Sequence, residues 1–178
     1  MSIRPATAAD VPELQSIYAH HVLTGTGTFE EVPPSVEEMA ARFQHVRDRG
    51  WPWLVSADAS GVLGYAYATQ FRDRSAYRFT LENSVYIRED QRGQGVGKAL
   101  VAALLDVTAA AGFRQMIAVI GDTENAGSIG LHASLGFHHT GTLRASGLKF
   151  GRWLDVVYMQ RALGPGASTV AAEDPTPV

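Results

Sequence analysis

The sequence contains no cysteine. That excludes disulfides, thiolate nucleophiles and cysteine-held metals, and it weakens any case for a disulfide-stapled secreted domain. No apolar run approaches the roughly 20 residues needed to span a bilayer. The first residues, Met1 to Pro5, also lack the apolar stretch of a signal peptide. The expectation is a cytoplasmic protein with no membrane partner. A net charge of −3 on 178 residues gives no general attraction to nucleic acid. The six histidines offer no His-x-x-x-His or Glu-x-x-His spacing. The neighbours in His20-His21 and His138-His139 point different ways on a helix or strand, so no metal site is expected. From about Leu163 onward apolar periodicity is also missing. Residues 163–178 therefore read as a disordered tail behind a single domain over residues 1–162.

What is present alternates between the two regular periods. A short strand around Ile3 precedes a Thr7/Asp10 capping box, with Val11, Leu14, Tyr18 and Val22 at helical spacing after it. Ser35 and Glu38 box a second helix carrying Met39, Phe43 and Val46 on one face. Strand signals run over Trp53–Ala57, Leu63–Thr69 and Tyr77–Ile87, with a tight turn at Asp58 to Gly61. A long helix then places Val96, Leu100, Ala103, Leu104, Val107 and Ala111 on one face and stops at Gly112. A buried strand at Met116–Ile120, a short helix over Asn125–Leu135 and an antiparallel pair, Phe137–Leu143 and Trp153–Met159, complete the order. Trp51, Trp53 and Trp153 are core or interface anchors. The order implies an α/β fold, a sheet of mixed direction with helices packed on it.

Between the Tyr77–Ile87 strand and the long helix lies Arg92-Gly93-Gln94-Gly95-Val96-Gly97-Lys98. Glycines let the backbone turn tightly and approach a ligand without a Cβ in the way. The following helix start offers unpaired N–H groups and positive potential, which suits phosphate. A Walker A loop needs Ser or Thr after its lysine, and Lys98 is followed by Ala99. A dinucleotide fingerprint needs glycine at its sixth position, which is Lys98. Two readings remain open on the loop alone: a different phosphate-bearing ligand, or a glycine-rich turn that only joins strand to helix.

Arg92 to Gly97 matches the pattern Gln/Arg-x-x-Gly-x-Gly/Ala and resembles the acetyl-CoA pyrophosphate loop of the GNAT acetyltransferases. Phe71 to Arg78, Glu82 to Ile87, Gly121 to Asn125, Leu131-His132, Leu135-Gly136-Phe137 and Lys149 to Asp155 resemble a narrower group. These are the phosphinothricin and methionine-sulfoximine N-acetyltransferases. The resemblance spans about Ile3 to Gln160. It implies a mostly antiparallel sheet of six or seven strands flanked by about four helices, acetyl-CoA as cosubstrate, and a homodimer whose subunits help shape the active site. It further implies that the N–H groups of Arg92, Gly93, Gln94, Gly95, Val96, Gly97 and Lys98 hold the CoA pyrophosphate, with charge from Arg92 or Lys98. Ser84, Val85, Tyr86 and Ile87 would lie along the pantetheine arm, and Asn125 would contact it.

Acetyl transfer to an amine needs a proton acceptor, because amines are mostly protonated near neutral pH. Glu82 is the candidate base; a strand-surface glutamate is the plainer alternative. His132 stands where many family members carry the tyrosine that protonates the leaving thiolate. It is a candidate acid or simply a helix residue packed on the sheet. Arg72, Arg74 and Arg78 suit an anionic acceptor, since arginine grips carboxylates bidentately. By resemblance, Arg72, Asp73 and Arg74, with Leu81, Glu82 and Asn83, contact an amino-acid substrate; a solvated basic hairpin is the alternative. The expected activity is N-acetylation of the α-amine of phosphinothricin, methionine sulfoximine or methionine sulfone. An acetyltransferase for another amine, or a non-catalytic acyl-CoA-binding module, would use the same loop.

Overall fold

The computed structural model describes residues 1–178. Seven strands form one sheet in the order β1-β2-β3-β4-β5-β7-β6. They are β1 (Ser2–Pro5), β2 (Trp53–Asp58), β3 (Gly61–Gln70), β4 (Thr80–Ile87), β5 (Gln115–Gly121), β6 (His138–Lys149) and β7 (Arg152–Ala162). Every neighbouring pair is antiparallel except β4 with β5. The helices are α1 (Val11–Thr24), α2 (Val36–Asp48), α3 (Val96–Ala110) and α4 (Ala126–Ser134).

The sheet is buried on both faces, by different helices. Leu81, Val85 and Ile87 of β4 face the core built on α3 with Met116, Phe137 and Met159. The alternate residues of β4 face the other way, as the period of two requires. There α1 and α2 bury Leu14, Ile17, Val22, Met39, Phe43 and Val46 against Trp53, Val55 and Tyr65. Both capping boxes form, Thr7 with Asp10 and Ser35 with Glu38.

Four expectations shift. Strand β4, expected from Tyr77, begins at Thr80, because Ser75–Tyr77 close a 3-10 turn in which the Tyr77 N–H donates to the Arg74 carbonyl. The buried stripe of α3 rotates toward Val101, Leu105 and Thr108, while Ala103, Val107 and Ala111 are only partly covered. Thr108 tolerates burial because its hydroxyl donates to the Leu104 carbonyl, 2.7 Å away. Strand β6 extends to Lys149 through two register shifts, which bend a strand that pairs on one side only. The segment read as a disordered tail has no helix or strand, yet it lies on the domain. Leu163 is 2% exposed and part of the larger core. Farther on, the Thr176 and Val178 N–H groups donate to the carbonyls of Ala111 and Gly50. These bonds use backbone groups, which leave no side-chain periodicity to read.

Candidate active site

Strands β4 and β5 run side by side only from Thr80↔Gln115 to Asn83↔Ala118. Beyond that pair they separate, while β4 stays paired to β3 through Ile87. The gap is the mouth of a cavity of about 1290 Å3 lined by Asn83 to Ile87 on one side and Val119 to Asp122 on the other. At its far end the Nε2–H of His21 donates to the Ile87 carbonyl, 2.9 Å away. An extended chain laid in this gap would complete the sheet.

The glycine loop, from Arg92 to Lys98, lines this same end of the cavity, where Glu89 pairs with both His20 and Arg92. Gly93 and Gly95 adopt φ of 73° and 82°, and a Cβ on either would meet nothing within 4 Å. The need is conformational: a left-handed backbone on the side that stays open. Gly97 serves packing instead, since a Cβ there would sit 2.8 Å from Leu131 of α4. No N–H from Gly93 to Lys98 donates to a protein acceptor. This row of free donors at the start of α3 fits the oxygens of a pyrophosphate. Lys98 is exposed without a partner, and Arg92 pairs with Glu89 at 3.1 Å. The free donors, the open glycines and the unpaired strand edge together fit acetyl-CoA.

Asn125 caps α4: its Oδ1 accepts from the Ser128 N–H at 3.2 Å, and its Nδ2 donates to the Gly121 carbonyl at 3.3 Å. It lines the cavity while shaping it. His132 is 2% exposed. Its Nδ1 lies 2.8 Å from the Ser128 carbonyl, which can only accept, so Nδ1 carries the proton. Nε2 then accepts from the Asn83 Nδ2 at 3.2 Å. Burial lowers the pKa of this imidazole, against a smaller opposing effect of the Ser128 carbonyl.

Glu82, Ser84 and Tyr86 point to the opposite face from Asn83. Glu82 stands across from Thr69 on β3 and Ile117 on β5. Burial raises its pKa, and the nearby Arg72 cation offsets part of that. Arg72 is exposed, stacks 4.1 Å from the Phe71 ring and donates to the Phe71 carbonyl. Asp73 and Arg74 are exposed on the same turn. Arg78 is drawn elsewhere: its Nε donates to Asp174, 2.6 Å away. The structure therefore groups Arg72 with Glu82 and commits Arg78 to the C-terminal segment. Leu81 is fully buried in the α3 core, where it supports the strand rather than lining a surface.

One residue escapes sequence reading. Lys149 is 1% exposed, and its Nζ donates to the carbonyls of Gly25 and Thr28 at 2.9 and 2.8 Å. It ties down the loop after α1, whose residues Thr24 to Gly27 line the cavity. Gly121 and Gly147 permit that loop's approach, because a Cβ on either would collide with Thr26 or with the Phe29 ring. The signal was present only as Lys149 in a resembling motif, with no partner nearby in sequence. Among the tryptophans, Trp53 is in the core, whereas Trp153 is 66% exposed.

The profile described as "Acetyltransferase (GNAT) domain" matches residues 3–158. A phosphinothricin N-acetyltransferase from Alcaligenes faecalis is 52% identical over 169 residues, 95% of this chain and 86% of that protein. An L-methionine sulfoximine/L-methionine sulfone acetyltransferase from Pseudomonas paraeruginosa is 44% identical, covering 94% of this chain and 97% of its own length. The crystal structure of a phosphinothricin acetyltransferase from Sinorhizobium meliloti in complex with AcCoA superposes with a TM-score of 0.95 at 48% identity. That superposition covers 99% of this chain and 95% of the other. Together with the free N–H row of the Arg92–Lys98 loop beside the splayed strands, these matches show that the chain belongs to the GNAT acetyltransferase family and is an acetyl-CoA-dependent N-acetyltransferase.

Proposed function

We propose that the protein acetylates the α-amine of small amino-acid analogues, of the kind represented by methionine sulfoximine, methionine sulfone and phosphinothricin. One observation carries the reading: Glu82, partly buried beside the Arg72 guanidinium, lies on β4 where the strand reaches the acetyl-CoA gap. An amino acid offers a carboxylate for Arg72 and an amine for Glu82. The names of the relatives support the same class of acceptor.

In the reaction the neutral amine nitrogen attacks the thioester carbonyl carbon. The C–N bond forms, the C–S bond breaks, and the amine proton passes to Glu82 directly or through water. A backbone N–H of the Ser84–Ile87 edge would polarise the carbonyl oxygen. The leaving thiolate takes up a proton. His132 reaches the same cavity, but its one proton is held by the Ser128 carbonyl. The geometry favours His132 as the support of the Asn83 amide, and water as the proton source.

A cytoplasmic homodimer is the expected form, with a detoxifying role toward toxic amino-acid analogues. The exposed Leu143, Leu148, Phe150 and Trp153 on the β6–β7 hairpin support a partner subunit there. Thiol release from acetyl-CoA across amino-acid analogues, polyamines and peptide N-termini tests the acceptor class. Preference for a polyamine or a peptide would overturn it.

A further inference from the structure

A second cavity, of about 420 Å3, lies on the α1/α2 face of the sheet. Its floor is an aromatic stack of Trp53, Tyr65 and Tyr67, with the Trp53 and Tyr67 rings 4.2 Å apart and 15° from parallel. Met39 and Val46 of α2 and Tyr18 of α1 form the walls. At the rim stand Ala41, Arg42, His45 and Thr69.

Strand register fixes where this cavity lies relative to the chemistry. Thr69 is the direct cross-strand partner of Glu82, and Tyr67 is the partner of Ser84. Directly opposite residues keep their Cβ atoms about 5 Å apart on one face. The aromatic cavity is therefore one strand to the β3 side of Glu82, while the acetyl-CoA gap is on the β5 side. Arg72 sits toward the end of the β3–β4 hairpin. An α-amino acid with its amine at Glu82 and its carboxylate at Arg72 can run its side chain across β3, past Thr69 and Tyr67, into this cavity.

We infer that this aromatic cavity is the acceptor side-chain subsite, and that it selects uncharged, largely apolar side chains such as those of methionine sulfone and methionine sulfoximine over the anionic phosphinate of phosphinothricin. The inference rests on the amino-acid acceptor reading and sharpens it. The volume lies within the range of small-molecule sites. The floor and walls are carbon-rich aromatic and aliphatic surface, where an unpaired anion is costly. The one rim cation, Arg42, is already paired with Glu30 at 2.7 Å, so it brings no free charge to a buried phosphinate.

The test is the ratio of kcat/KM for L-methionine sulfone to that for L-alanine, with phosphinothricin measured alongside. In the wild type, methionine sulfone should exceed both others at least tenfold. Ala41 and His45 are exposed helix positions at the rim, so Ala41→Trp narrows the entrance without disturbing the core, and His45→Trp is an independent second obstruction. Either should lower the methionine sulfone to alanine ratio at least tenfold in protein whose thermal melt matches the wild type. Amino-acid turnover with the ratio unchanged in both variants, or phosphinothricin preferred by the wild type, overturns the subsite and leaves the acceptor class standing. Turnover of polyamines or peptides but no amino acid overturns both.

Discussion

Replacing Glu82 with glutamine removes the proton acceptor while keeping the shape of the side chain. A positioned general base contributes about 10²–10⁴-fold to rate, so kcat should fall by about that much with acetyl-CoA affinity retained. The pH dependence is sharper. Glu82 acts only when ionised, and burial holds its pKa above the ordinary 4.5 despite the Arg72 cation. Wild-type kcat/KM should therefore fall on acidification through a midpoint above 4.5, and the Glu82→Gln profile should lose that limb. Stability should move the opposite way. A carboxyl whose folded pKa is raised binds its proton more tightly in the native state, so its charged form opposes folding above that pKa. Glu82→Gln should melt at or above the wild type near pH 7, and the advantage should close as pH falls through the folded pKa. Thiol-release kinetics from pH 5 to 9, acetyl-CoA titration and thermal melts read all three. A variant that keeps its acid limb and loses less than about threefold in kcat, well short of the general-base range, would refute Glu82 as the base.

Three further perturbations address the parts around it. Gly95→Ala puts a Cβ on a residue with φ of 82°; it should cost about 1–2 kcal/mol in melts and weaken acetyl-CoA binding, and an unchanged dissociation constant would count against the loop. Lys149→Met leaves the Gly25 and Thr28 carbonyls without their donor; a loss of about 1–3 kcal/mol and a raised KM for acetyl-CoA are expected, read by denaturation and steady-state kinetics. The His132 imidazole should titrate below its ordinary 6.5 by NMR, and a value above 6.5 would contradict the neutral tautomer held by Ser128.

The local parts of this account were legible in the sequence because their causes are local. Ser35 and Glu38 cap α2 from three residues apart, and the free N–H row follows from glycines next to a helix start. The gap itself was not, since it depends on where β5 stops pairing with β4, and those strands are joined through α3. Lys149 reaches carbonyls more than a hundred residues away in sequence. The pairing of Arg78 with Asp174 spans a similar distance, and it took one of three look-alike arginines away from the site. The aromatic cavity is assembled from α1, α2, β2 and β3, each of whose residues reads singly as ordinary core.

The most direct measurement is steady-state thiol release by the wild-type protein with acetyl-CoA and L-methionine sulfone, with the product identified by mass spectrometry. One thiol should be released per N-acetylated amino acid formed. Folded protein that binds acetyl-CoA yet releases no thiol with this or any other primary amine would contradict it.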